Sequence, residues 1–115
     1  SDLITTLTHL ANTIEMVQDA IIIAKQGLTK NPAKEQRRQL LEDRLELEAK
    51  LQRLNGKLLA LANNQGGISP PTGAQIDEIK SLTAEVETAT QENLSASASI
   101  AITSTVLEGA VSVLS

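Results

Sequence analysis

The side chains that could carry chemistry are few, and their spacing suits very little of it. The 115 residues hold one histidine, His9, and no cysteine. A His/Cys metal set or a thiol nucleophile therefore has nothing to draw on. His9 falls between Leu7 and Leu10 of an aliphatic row, which predicts an exposed polar residue on the outer face of a helix. A Ser-His-Asp arrangement would have to recruit Asp2 or Asp19, and neither a Gly-x-Ser-x-Gly elbow nor the Glu-x-x-His pattern of di-iron bundles occurs.

Carboxylates come in pairs at Glu42 and Asp43, Glu46 and Glu48, and Glu85 and Glu87. Helical neighbours one or two residues apart point in different directions, so these pairs read as a solvated face and not as an acid-base dyad. Arg38 with Glu42, Arg44 with Glu48, and Glu46 with Lys50 stand four residues apart, the spacing of surface ion pairs worth a few tenths of a kcal/mol each. Lys34, Arg37 and Arg38 form a small basic group, but Glu35, Glu42 and Asp43 interrupt its field. Gly66-Gly67 lacks the Lys and the Ser or Thr of a phosphate loop and reads as a flexible turn. Asn93-Leu94-Ser95 matches a glycosylation sequon, a pattern frequent by chance.

Composition closes further classes. Net charge is -4, against the basic excess that general nucleic-acid binding needs. The absence of Trp, Tyr and Phe removes every stacking platform and leaves a core of Leu, Ile, Val and Ala. The expectation is a chain with no cofactor, no metal and no small-molecule substrate. The sequence assigns no compartment.

The elements follow from periodicity. Leu3, Leu7, Leu10, Ile14, Val17, Ile21, Ala24 and Leu28 recur at alternating steps of four and three, a heptad seam that predicts a helix over 2–28. Gly27 can supply a left-handed residue near its end, and Asn31-Pro32 fits an N-cap followed by proline at the first helical position. A second helix is predicted over 32–63, with Leu40, Leu47, Leu51, Leu54, Leu58 and Leu61 on its seam and Leu41, Leu45, Leu59 and Ala62 widening it. Arg44 is the one gap in that row and has Glu48 as its helical partner. Asn55-Gly56 is a turn signal, yet the leucines stay in phase across it, so the helix is read as continuous, with closer helix approach at Gly56.

The short connection predicts an antiparallel hairpin. The breaker-rich stretch 64–72 is the second loop, and Thr72 with Gln75 matches a capping box. From there Ile79, Leu82, Val86, Ala89, Asn93, Ala96, Ile100, Thr103, Leu107, Ala110 and Leu114 hold the seven-residue register, which predicts one helix over 73–115, about 60 Å long.

The expected fold is therefore all-α: one domain over 1–115, an antiparallel helical hairpin plus a third long helix in a three-helix, coiled-coil-like bundle. The third helix would overhang or bend back. The start at Ser1 and the uncapped apolar ending suggest a piece of a longer chain. Ile22 and Ile23 lie off the first seam, and the segment 94–114 holds a single charge, Glu108. The function expected is a non-catalytic structural or adaptor module that binds a helical protein partner or itself, with Ile22, Ile23, Ile100, Leu107 and Leu114 as contact residues. The competing expectation is a helical component of a secreted or pore-forming assembly, in which 94–114 contacts or enters a membrane.

Overall fold

A computed structural model describes residues 2–65 and 69–115, and Gly66-Gly67 lies outside the described residues. The described residues form four helices: α1 (Asp2–Leu28), α2 (Lys34–Ala62), α3 (Gly73–Ala89) and α4 (Ala96–Leu114). The described residues contain no strand. The protein is a helical bundle with four helices, not three.

The correction lies in the third predicted helix, which breaks at 90–95. A rod of about 60 Å would run past α1 and α2, which at 1.5 Å per residue reach only about 40 Å. Folding back lets both halves pack, and the molecule's long axis is 46 Å. No Gly or Pro marks the break. Instead Ser95 caps α4 by accepting from the Ala98 N–H at 3.1 Å, and Thr90 donates its hydroxyl to the Glu87 carbonyl at 2.6 Å. Leu94 packs against the core within the turn. The Lys30 ammonium donates to the Asn93 side-chain carbonyl, tying this turn to the one between α1 and α2.

The other helix ends follow local chemistry. Asn64 takes a left-handed conformation (φ 58°) after α2, with Gln65 N–H on the Ala60 carbonyl and Asn64 N–H on that of Leu61, the paired bonds of a Schellman ending. Thr72 and Gln75 form the expected capping box, each bonding the other's backbone. The first turn departs from expectation. Asn31, not Gly27, is the left-handed residue (φ 51°), so it links the helices instead of capping, and α2 begins two residues later with Ala33 at its N-cap. The Gln36 side chain accepts from the Ala33 N–H at 3.1 Å.

Helix α1 is the centre of the molecule. It packs against α2, α4 and α3, while α2 and α4 also pack together and α3 and α4 touch only sparingly. The chain order makes α1 and α2 antiparallel, with α4 running alongside α2 and α3 alongside α1. Leu10, Ile14, Val17, Ile21 and Ala24 of the predicted seam are buried, but so are Met16, Ala20 and Ile23, because neighbours surround α1 on three sides. Past its first turn, α1 leaves to solvent the row Thr8, Ala11, Glu15, Gln18, Ile22 and Lys25, together with Gln26.

Two glycines set helix separations. A Cβ on Gly27 would lie 2.9 Å from the Ser99 Cβ and 3.2 Å from a Leu40 methyl, so α1, α2 and α4 converge there. One on Gly109 would lie 3.3 Å from Leu82. Gly56, where closer approach was expected, has nothing within 4 Å.

Candidate functional site

Burial redistributes the polar residues. His9 is not on an outer face: it is 6% exposed, at the junction of α1 with the start of α3 and the end of α4. Its cleft, about 100 Å³, is lined by Pro71, Glu78, Ile79, Gly109, Ser112 and Val113. Burial lowers the His9 pKa from the ordinary 6.5. The misreading has a physical source, since a residue off one seam is exposed only when the helix has one neighbouring face.

Asp43 also moves inward. It is 3% exposed, where a solvated carboxylate was expected, and it occupies the inward side of the helical turn at which Arg44 interrupts the leucine row. Its Oδ1 accepts from Gln39 Nε2 at 2.7 Å and its Oδ2 from the Thr103 hydroxyl of α4 at 2.8 Å. A buried carboxylate is tolerated when its oxygens are hydrogen-bonded, and this one ties α2 to α4. The Thr83 hydroxyl likewise donates to the Asn12 carbonyl, joining α3 to α1. Arg38–Glu42 and Arg44–Glu48 form at 2.7 and 3.2 Å. The expected Glu46–Lys50 pair is not among the ion pairs of the described residues.

In α4 the buried face is Ala96, Ser99, Thr103, Val106, Ala110 and Val113. The break at 90–95 resets the helical phase, so Ile100, Leu107 and Leu114 move from the predicted seam to its flank, where they are half-buried. Of the other expected contact residues, Ile22 is 44% exposed and Ile23 is wholly inside. Leu41, Leu45 and Leu59, expected to widen the core stripe, face outward instead.

Two apolar surfaces result. On the α1–α2 side, the Gly27–Leu40 contact fixes an antiparallel register that sets Ile22 at the level of Leu41 and Leu45, the last 67% exposed. On the α2–α4 side, Leu107 and Val111, the latter 51% exposed, line an open cleft of about 330 Å³ together with Glu46, Lys50 and Glu108. Sequence reasoning missed Val111. The available signal was its place four residues after Leu107, on the same face of α4. No group of three or more His, Asp or Glu that could hold a metal occurs among the described residues.

These features define an all-α bundle with aliphatic surface on two sides. Comparison with known protein families, with characterised proteins and with solved structures finds no match to this chain.

Proposed function

We propose that the chain is a non-catalytic helical module that associates with other helices, its own copies included, through aliphatic surface its bundle leaves uncovered. The observation that carries this reading is the exposure of Ile22, Leu41, Leu45, Leu59 and Val111 on helices whose cores are already filled. Covering such side chains is favourable by roughly 25 cal/mol per Å² removed from water, and aliphatic surface on helices at heptad-related spacing is what another helix covers well. Light scattering after size exclusion over a wide concentration range tests the reading. Concentration-dependent association that Leu45→Lys or Val111→Lys weakens, with helicity unchanged, is the expected result. A monomer at every concentration is the result that counts against it.

A second reading rests on α4. This helix has 19 residues and a mean hydropathy of 1.5 over its most apolar window, long and apolar enough to cross a bilayer, and 33% of that window is buried within the bundle. Its buried positions are mostly small or hydroxylated, so its contacts with α1 and α2 are the ones membrane entry would have to replace. Dye release from anionic and neutral liposomes, at neutral and mildly acidic pH, tests it; complete silence removes it.

A further inference from the structure

Three charged side chains line the α2–α4 cleft. Glu46 and Lys50 lie four apart on α2, a spacing at which opposite charges ordinarily pair, as Arg44 and Glu48 do on the same helix at 3.2 Å. Among the described residues, neither Glu46 nor Lys50 forms an ion pair, and neither does Glu108 across the cleft. The three line the same opening, around Leu107 and Val111. One lysine and two acids around Leu107 and Val111 are self-complementary under a two-fold rotation: a second copy placed antiparallel sets Lys50 of each against Glu46 and Glu108 of the other.

We infer that the partner on this face is a second copy of the chain, docked antiparallel through α2 and α4 about a two-fold axis passing through the cleft between Lys50 and the two acids. This rests on the reading of the protein as a helix-binding module and specifies its surface and its occupant. In such an isologous interface every contact occurs twice, so a modest charge pair counts double. Leu107 and Val111 meet at the centre, and Ile100 and Leu114 extend the same flank of α4 by about one heptad either way. Sides of 46 × 22 Å leave room for the ~800 Å² per partner of a standard interface. A polar rim around an apolar centre is the usual anatomy of such contacts.

Charge reversal and its reciprocal rescue test this, read by sedimentation equilibrium on the intact chain. Glu46→Lys alone turns two attractive contacts into two repulsive ones and Lys50→Glu alone turns four, and each weakens association by about tenfold or more. The Glu46→Lys/Lys50→Glu/Glu108→Lys triple variant restores complementarity and recovers most of the loss, while Leu45→Lys on the α1–α2 side leaves association unchanged. None of the three charged positions is buried in the core, and circular dichroism confirms that each variant keeps its helicity. Association that ignores both single reversals, or that the triple variant fails to recover, overturns the assignment; if Leu45→Lys abolishes it instead, the contact belongs to the α1–α2 side and the broader module reading survives. A wild-type chain that stays monomeric throughout overturns both.

Discussion

Asp43 and Thr103 show how single side chains settle where two helices meet. The carboxylate sits where the leucine row of α2 lapses, and a hydroxyl on α4 is its donor from outside the helix. Replacing Thr103 with Val keeps the shape and removes the proton. The buried oxygen then loses a partner, and stability measured by urea unfolding should fall by about 1–3 kcal/mol, with Thr103→Ser close to wild type. A Val variant as stable as the parent would show that the pair contributes nothing. Neither this pair nor the His9 cleft could be read from spacing, because both depend on which residues of a distant helix arrive opposite. Asp43 and Glu42 are equivalent in sequence; one faces α4 and the other faces water and Arg38.

Among the elements, the two glycines in the first two helices have opposite roles. Gly56 lies in the middle of α2 with open space where a Cβ would go, so Gly56→Ala removes only a conformational cost and should stabilise the protein by about 0.5–1 kcal/mol. Gly27 lies where α1 meets α2 and α4, and the same substitution there forces Ser99 or its helix aside. That change should cost about 1–3 kcal/mol despite the better helix propensity of alanine. Melting temperatures of the two variants moving in opposite directions would confirm the difference; both rising would show that the Gly27 approach is loose. Element identity was legible where periodicity was strong. The positions of α1 and α2, the continuity of α2 through Asn55-Gly56 and the Thr72–Gln75 start of α3 all follow from local sequence. The break between α3 and α4 was not legible, since the heptad register continues across it in the sequence while the chain turns back in space.

For the molecule as a whole, the three-sided burial of α1 couples stability to pH. His9 lies where α1, α3 and α4 converge, and burial depresses its pKa. The unfolded chain takes up a proton near 6.5, before the folded one does, so stability is full above that value and is lost as pH falls through the window beneath it. Asp19 acts in the opposite sense. Its pKa is raised by burial and by Glu15 and Glu87, so its burial becomes less costly as pH falls through that raised value. Between pH 7.5 and 5.5 the wild type should therefore lose stability, and a His9→Asn variant, whatever its absolute stability, should show a flatter profile. Parallel profiles would mean that the imidazole is solvated in the folded state.

The sequence by itself determined that the chain is helical, where two of its helices run, and which aliphatic rows seek burial, because hydrogen bonds within a turn and side-chain period are properties of neighbouring residues. Tertiary structure alone decided that there are four helices, that Ile23 and His9 are inside, and that Leu45 and Val111 are outside. Those outcomes depend on how many neighbours each helix acquires. A helix touched on one side hides one stripe, whereas α1, touched on three, also buries His9, Met16, Ala20 and Ile23 beyond it, and no periodicity read along a single segment records that number.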